Sequence, residues 1–288
     1  MATRVQAEIW DNDPQAIVSQ VSAAGETVST SHGGNAMVWR IWGIGEPLVL
    51  IHGGYGSWTH WIRNVDYLSQ FYRVIVPDLP GFGDSPLAMG VHSLHDFAGV
   101  VAGGLDQLLP NRQTYRLVGF SFGSAVASHL LPYEHKRIKR LVIVATSGLG
   151  PRKAVNANMR SWRKLSTEED KMAAHRHNLG VMMIHKPEAI DPLAVHLQSL
   201  NAGRARTRSA SIPPSGDRKL LLTQHPVPLA GIWGDQDAMS RDFLNERLTA
   251  LREIDPDSTF AIIPSAGHWV QYEAADAFNE ALRGILLR

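Results

Sequence analysis

The chain has no cysteine, no large excess of charge and no long apolar run, and each absence excludes a class of protein. Without cysteine among its 288 residues there are no disulfides, and redox chemistry does not indicate a compartment. A formal net charge of +1 gives no electrostatic reason to expect a nucleic acid or an acidic membrane as partner. No apolar run approaches the roughly 20 residues that span a bilayer.

The N-terminal residues lack the apolar segment of a signal peptide, so the sequence predicts a cytoplasmic protein. A hydrophobic content of 44% over this length suffices for one α/β domain with an insertion. No metal or cofactor is predicted, because His175, His177, His185 and His196 have no paired carboxylate at the spacing of a metal site. We expect a small molecule as the partner, and a homo-oligomer is compatible with the sequence.

A serine between two glycines is the most informative feature. Residues 119–123 read Gly-Phe-Ser-Phe-Gly, after a short apolar strand pattern and before small and apolar residues typical of a helix. Such a strand-to-helix turn exposes the hydroxyl of its serine for nucleophilic attack. The glycines are needed because the turn is too tight for side chains. We therefore predict that Ser121 is a nucleophile; a serine that merely caps the helix is the weaker interpretation.

A serine nucleophile needs a base, and the base needs an orienting carboxylate. His268 follows the predicted strand at residues 259–263 and is the candidate base. Asp235 and Asp237 both follow the predicted strand at residues 229–233, and Asp235 has the alternative role of capping the turn. Base and acid thus lie beyond the C-terminal ends of strands, where open α/β sheets place their sites.

A glycine-rich turn supplies donors for a tetrahedral oxyanion. The predicted strand at residues 47–51 runs into His-Gly-Gly-Tyr-Gly at residues 52–56. The backbone N–H of Gly54 and that of Phe122, the residue after the nucleophile, are the predicted oxyanion hole. We expect His52 to hydrogen-bond within the loop, and Asp78 and Asp84 to belong to the scaffold.

In this order the motifs resemble those of the α/β-hydrolase superfamily, from about residue 30 to the C-terminus. The resemblance implies an α/β fold: a mostly parallel eight-stranded sheet flanked by helices, with a helical lid after strand 6. It also implies a triad of Ser121, Asp237 and His268, since Asp237 matches the usual position of the family's acid. Haloalkane dehalogenases and epoxide hydrolases of this fold use an aspartate where Ser121 stands, which argues against both activities.

Residues 58–65 and 267–279 resemble a narrower group, the meta-cleavage product hydrolases, which cut carbon–carbon bonds in ring-opened aromatic catabolites. In that group a lid arginine holds the terminal carboxylate of a dienoate, and Arg204 is the best match. Trp269 matches the wall of the pocket. The resemblance adds two further substrate contacts, Arg63 and Asn64.

The sequence divides into a core at residues 1–146 and 217–288 and a lid at residues 147–216. Strand patterns cease in the lid, where a capping box at Ser166 predicts a helix to about residue 179. The pair Asp191–Pro192 predicts a second helix to about residue 206.

Three functions remain open. The resemblance favours a serine hydrolase that cleaves a 2-hydroxy-6-oxo-dienoate. A carboxylesterase or lactonase would use the same triad. A ligand receptor without catalysis is the third, since fold analogy does not separate the three.

Overall fold

The predicted strands form one eight-stranded sheet in the computed structural model, which describes residues 10, 13–146, 148–151, 158–207, 209, 212 and 217–288. The strands are Glu26–His32 (β1), Asn35–Trp42 (β2), Pro47–Ile51 (β3), Arg73–Asp78 (β4), Tyr115–Phe120 (β5), Ile138–Val144 (β6), Leu229–Gly234 (β7) and Thr259–Ile263 (β8). Their order is β1-β2-β4-β3-β5-β6-β7-β8. β2 pairs antiparallel with both β1 and β4, and every other pair is parallel, which confirms the mostly parallel sheet.

The centre of the sheet follows from its apolar runs. Every residue of β3 and of β7 is buried, as expected for parallel strands covered on both faces. The edge strand β1 is largely exposed. The register pairs Ile51 with Gly119 and Phe120 with Val144, so β3, β5 and β6 end at the same edge of the sheet. The loops that follow these strands therefore meet there.

Helices cover the sheet and fill the segment between β6 and β7. The helices are Pro14–Ala23 (α1), Val65–Ser69 (α2), Leu94–Leu108 (α3), Phe122–Glu134 (α4), Glu168–Asn178 (α5), Pro192–Arg204 (α6), Arg218–Gln224 (α7), Leu244–Ile254 (α8), Val270–Glu273 (α9) and Ala275–Leu286 (α10). α3 packs against α4, α4 packs against β5 and α7, and α10 packs against β7 and β8. Short 3₁₀ or π turns occur at Trp58–Trp61, Pro110–Arg112, Leu179–Met183, Pro187–Ala189 and Arg241–Phe243.

The start of α5 differs from the sequence prediction by one residue. Thr167, not Ser166, is the N-cap: its hydroxyl accepts the N–H of Asp170 at 3.1 Å and donates to the carboxylate of Asp170 at 2.7 Å. Two adjacent hydroxyl residues followed by three acidic ones fit the capping pattern in either register, so the pattern alone did not select one.

The second helix of the insertion begins as predicted and ends earlier. The carboxylate of Asp191 accepts the N–H of Ala194 at 2.8 Å, and Pro192 occupies the first helical position. α6 ends at Arg204, two residues before the predicted end. The N–H of Arg206 donates instead to the carbonyl of Gly81 at 2.8 Å, which turns the chain towards the core.

Between β6 and β7, the described residues form α5, α6 and α7 and contain no strand. The predicted lid boundaries, residues 147 and 216, lie outside the described residues and stay predictions. Within the described ranges, no helix is long and apolar enough to cross a membrane. Those same ranges hold no cluster of three or more histidine, aspartate and glutamate residues that is placed to bind a metal ion.

Candidate active site

The turn between β5 and α4 holds Ser121 in a backbone conformation that few non-glycine residues adopt, with φ 51° and ψ −113°. The N–H of Ser121 donates to the carbonyl of Val144 at 2.9 Å, which fixes the turn to β6. A Cβ on Gly119 would lie 2.6 Å from the carbonyl oxygen of Gly123, and one on Gly123 would lie 2.4 Å from that of His52. Both glycines are therefore required by close backbone approach.

Three predicted residues form one hydrogen-bonded row. Nε2 of His268 lies 2.9 Å from Oγ of Ser121, and Nδ1 lies 2.9 Å from Oδ2 of Asp237. The side chains of His268 and Asp237 are almost completely buried. Each follows a strand, β5 for Ser121, β7 for Asp237 and β8 for His268, so the sheet fixes their relative positions. The arrangement provides a hydroxyl, a base in contact with it and a carboxylate that orients the base.

The structure brings Asp237, and not Asp235, to His268. Burial opposes ionisation of Asp237, but the charge of His268 and hydrogen bonds from His268 and Met239 outweigh it and hold the pKa of this carboxyl below its ordinary value. Asp235 donates its N–H to Ile263, and its buried Oδ1 has no hydrogen-bond partner in the described part of the chain.

The predicted oxyanion donors lie beside each other and are free. The N–H of Gly53 donates to Nδ1 of His60 at 3.2 Å, whereas the N–H of Gly54 has no protein acceptor among the described residues. Phe122 is the first residue of α4, so its N–H has no acceptor within the helix. A Cβ on Gly54 would lie 3.6 Å from that of Phe122. These two N–H groups are the donors available to a carbonyl oxygen near Ser121.

Two buried histidines hold the glycine turn in place. Leu79 donates its N–H to Nε2 of His52 at 2.9 Å, so Nδ1 of His52 carries the proton and donates to the carbonyl of Gly53 at 2.7 Å. Burial lowers the pKa of His52 to about 4 despite that hydrogen bond. His52 has the structural position that we expected.

His60 was missed by sequence reasoning. Burial lowers the pKa of His60 well below its ordinary value, and the neutral ring accepts from Gly53. A Cβ on Gly56 would lie 2.2 Å from Cε1 of His60, so the ring occupies the space that this glycine leaves. Gly56, the third glycine of the turn, was the available signal.

The aspartates of the loop after β4 also have structural partners. Asp78 accepts N–H groups from Trp58 at 2.7 Å and Asp84 at 2.9 Å, and its carboxylate pairs with Arg40 at 3.2 Å. Arg40 also pairs with Asp84. These contacts fix the loop and leave no carboxylate of this pair at the nucleophile.

Arg63 and Asn64, predicted to bind substrate, instead hold the backbone of the core and insertion. The fully buried Asn64 donates to the carbonyl of Gln271 and to the side chain of Asn279, both at 2.9 Å. Arg63 pairs with Asp191 of the insertion at 2.5 Å and lies over the ring of Tyr272. Arginine and asparagine are as suited to joining buried polar backbone as to binding a ligand, and the substrate-binding role of Arg63 and Asn64 stays a prediction.

Trp269 and Arg204, also predicted to bind substrate, have partners within the protein. The buried indole of Trp269 donates to the carbonyl of His60 at 3.0 Å and stacks on Tyr272. The half-exposed Arg204 pairs with Asp84 at 2.9 Å and lines a cavity of about 220 Å³ that includes no member of the Ser121–His268–Asp237 row. In this structure neither residue presents a polar group to the hydroxyl of Ser121.

Residues 48–281 match the family model described as alpha/beta hydrolase, which covers most of the chain. This chain belongs to the α/β-hydrolase family. The α/β-hydrolase fold and the expectation of a hydrolase are both confirmed. Members of this family carry a nucleophile, an acid and a base in this order along the chain, which is the order of Ser121, Asp237 and His268.

This α/β-hydrolase is 37% identical over 268 residues to a 2-hydroxy-6-oxo-2,4-heptadienoate hydrolase of Pseudomonas putida (strain F1), covering 85% of this chain and 90% of that protein. The predicted similarity to the meta-cleavage product hydrolases is thereby confirmed. This chain is also 29% identical to the dihydrolipoyllysine-residue acetyltransferase component of an acetoin cleaving system of Pseudomonas putida. That match covers 84% of this chain and only 64% of the other protein. A thermophilic esterase from Thermogutta terrifontis is 25% identical, with a TM-score of 0.72 and coverage of 91% and 98% of the two chains.

Proposed function

We propose that this α/β-hydrolase is a serine hydrolase that cleaves small carboxylic esters with Ser121, His268 and Asp237. The observation that carries the proposal is the continuous row of hydrogen bonds from Ser121 Oγ through His268 to Asp237, with both distances 2.9 Å. A nucleophile, a base and an orienting carboxylate in this geometry are the parts of acyl transfer.

The first half of the reaction forms an acyl-enzyme. Oγ of Ser121 attacks the ester carbonyl while Nε2 of His268 takes its proton, and the ionised Asp237 stabilises the resulting imidazolium. The carbonyl oxygen becomes an oxyanion and accepts from the N–H groups of Gly54 and Phe122. Collapse of this intermediate breaks the bond to the alcohol, which leaves with the proton from His268.

The second half releases the acid. Water gives its proton to Nε2 of His268 and attacks the acyl carbon, and the same two N–H groups receive the second oxyanion. Collapse breaks the bond to Oγ of Ser121, which regains its proton from His268. No further proton carrier is needed for either half.

The charge distribution around the site favours esters over dienoates. A dienoate carries a terminal carboxylate, which in the resembling family is held by an arginine. Here Arg63 is paired with Asp191 and Arg204 with Asp84, so the two predicted cations are already neutralised. The part-exposed Phe122, directly after the nucleophile, adds an apolar side chain, which suits an uncharged substrate.

Cleavage of a carbon–carbon bond in a 2-hydroxy-6-oxo-dienoate is the second candidate. It is favoured by the 37% identity to a dienoate hydrolase over nearly the whole of both chains. The same Ser121, His268 and Asp237 would serve both reactions, so substrates, not the triad, distinguish the two.

Covalent labelling tests the serine mechanism. We expect a fluorophosphonate probe to modify Ser121 in the wild type, with peptide mass spectrometry placing the adduct on that residue. Ser128→Ala, in the same helix as the nucleophile turn, should label normally. Failure of the wild type to label would overturn the serine-hydrolase proposal and favour a receptor.

A two-substrate panel tests the substrate class. We expect kcat/KM for p-nitrophenyl acetate or butyrate to exceed that for a ring-cleaved catechol dienoate. The opposite ranking would replace the ester proposal with the carbon–carbon one. Fluorophosphonate labelling of Ser121 is expected whichever substrate is preferred, so the substrate panel and the labelling experiment test separate claims.

A further inference from the structure

A segment of the insertion runs back along the active-site edge of the core. The N–H groups of Arg206 and Thr207 both donate to the carbonyl of Gly81, at 2.8 and 3.2 Å. The hydroxyl of Thr207 donates to the carbonyl of Pro80 at 3.3 Å. These contacts fix the chain at the loop after β4, two residues before Ser209.

Ser209 lies directly against the predicted oxyanion turn. A Cβ built on Gly54 would lie 2.3 Å from Oγ of Ser209 and 3.6 Å from Cβ of Phe122. With a Cα–Cβ bond of about 1.5 Å, the hydroxyl of Ser209 is within about 4 Å of the Cα of Gly54. The hydroxyl thus adjoins Gly54, one of the two residues whose N–H groups are the predicted oxyanion donors.

Aromatic side chains lie on either side of the nucleophile, next to the predicted oxyanion donors. Phe120 packs against His60 and His268, and the ring of Phe122 packs against Phe82 and Phe97. A serine hydroxyl rotates freely and can aim its proton at a nearby acceptor. A donor that faces developing charge in an apolar site stabilises that charge more than it would in water.

We propose that the hydroxyl of Ser209 is a third donor of the oxyanion hole, and this inference rests on the proposed serine-hydrolase function. As Ser121 attacks, the carbonyl oxygen accepts from Gly54, Phe122 and the hydroxyl of Ser209. Ser209 donates a hydrogen bond and keeps its proton, so no further co-reactant is required. Two donors come from the core and one from the insertion, which makes the hole complete only when the insertion covers the sheet edge.

Two substitutions separate the hydroxyl from the shape of the side chain. Ser209→Ala removes the donor, and Ser209→Thr keeps it. Ser166→Ala, an exposed serine of the insertion, is the matched control. For p-nitrophenyl acetate we expect Ser209→Ala to lower kcat about 10²-fold with little change in KM, the size expected for loss of one oxyanion donor. Ser209→Thr should stay within a few-fold of the wild type, and Ser166→Ala should be unchanged.

A transition-state analogue provides a readout that packing alone does not move. An aryl trifluoromethyl ketone forms a hemiketal oxyanion with the nucleophile. The corresponding methyl ketone forms far less of this adduct and binds mainly without a covalent bond. We expect Ser209→Ala to weaken inhibition by the trifluoromethyl ketone about 10²-fold and to leave binding of the methyl ketone unchanged.

The outcomes distinguish this inference from the proposed function. Wild-type kcat and unchanged trifluoromethyl ketone inhibition in Ser209→Ala, while Ser121→Ala is inactive, would overturn the third donor and leave the serine hydrolase intact. Equal losses in Ser209→Ala and Ser209→Thr, or a change in KM alone, would also overturn it. Normal activity in Ser121→Ala would instead overturn the proposed function.

Discussion

The sheet and the insertion hold their parts of the site in different ways. Ser121, Asp237 and His268 follow strands of the sheet, and the central strands are buried along their whole length. The insertion shares the apolar core and adds directed polar contacts with the rest of the protein. The buried side chain of Asn201 in α6 bonds to the hydroxyls of Ser57 and Thr59 at 2.8 and 2.9 Å.

A glutamate of α9 makes the clearest of these contacts. The carboxylate of Glu273 accepts the N–H of Gly267, next to the base, at 2.7 Å. It also accepts the N–H groups of His185 at 3.0 Å and Lys186 at 2.6 Å, in the insertion. Burial of apolar strands is non-directional and spread over many residues, whereas a contact of this kind depends on one side chain. The positions of Ser121, Asp237 and His268 should therefore tolerate most single substitutions elsewhere, whereas one substitution can displace the insertion that covers them.

The largest effect expected is at the nucleophile. Ser121→Ala should lower kcat by ~10⁶-fold, as expected for loss of the nucleophile of a triad. The midpoint of urea unfolding should be unchanged, because the half-buried hydroxyl leaves no cavity of consequence. Steady-state kinetics with a p-nitrophenyl ester and urea titration check both, with Ser128→Ala as the control. Retention of more than a few per cent of the activity would exclude Ser121 as nucleophile.

The second effect concerns the choice between two aspartates of one turn. Asp237→Asn should lower kcat by about 10⁴-fold, because the amide favours the wrong tautomer of His268. Asp235→Asn, two residues away, is the matched control and should cost far less, since Asp235 makes no hydrogen bond to His268 within the described part of the chain. A larger loss in Asp235→Asn would move the role of the acid to that residue.

The pH dependence of stability tests the packing under the oxyanion turn. Burial lowers the pKa of His52 to about 4, whereas an unfolded histidine has a pKa of about 6.5. Between these values the unfolded chain binds the proton and the folded chain does not, so stability falls as pH decreases from about 6.5 to about 4. The single group accounts for about 3 kcal/mol of unfolding free energy over this range.

The measurement is urea unfolding of the wild type and His52→Asn at several pH values. We expect the free-energy difference between them to shrink as the pH falls from about 6.5 to about 4. His92→Asn, at an exposed position, should keep the wild-type slope. A constant difference across this range would show that His52 does not stay neutral in the folded protein.

The next effect expected is at the contact that Glu273 makes with the insertion. Glu273→Gln should lower the unfolding free energy by about 1–3 kcal/mol, because an amide N–H group then faces donors that the carboxylate had accepted. We expect kcat to fall as well, since Gly267 precedes the base. Glu280→Gln, an exposed glutamate of α10, should change stability by less than about 0.5 kcal/mol. Equal effects in both variants would remove the special role of Glu273.

The smallest effect is expected at the surface of the insertion. Arg204→Ala breaks a half-exposed ion pair with Asp84, and such pairs contribute about 0–1 kcal/mol. Turnover of a p-nitrophenyl ester should therefore change by less than about twofold. Lys219→Ala, which breaks an exposed pair with Glu253, is the control. If Arg204→Ala instead lowers kcat/KM for a dienoate by ~10²-fold and leaves ester turnover unchanged, Arg204 binds the carboxylate of the dienoate. That result would favour carbon–carbon cleavage.

Local patterns in the sequence predicted what depends on neighbours along the chain. Most of the strands follow from short apolar runs, and the turn at Ser121 follows from its glycines and from the strand and helix on either side. The roles of Arg63, Asn64 and Trp269 in binding substrate stay predictions, because these residue types suit buried contacts within the protein as well as contacts with a ligand. Their partners, such as Asp191, come from distant parts of the chain.

The sequence by itself determined the fold, the order of the motifs and the identity of the serine and histidine, because each is written in a few adjacent residues. Only the tertiary structure decided that Asp237 faces His268, 31 residues away, since both aspartates of the turn have the required chemistry. It alone placed Ser209 against Gly54, and His60 under the same turn. Contacts of this kind depend on how whole strands and helices pack, and no local pattern records that packing.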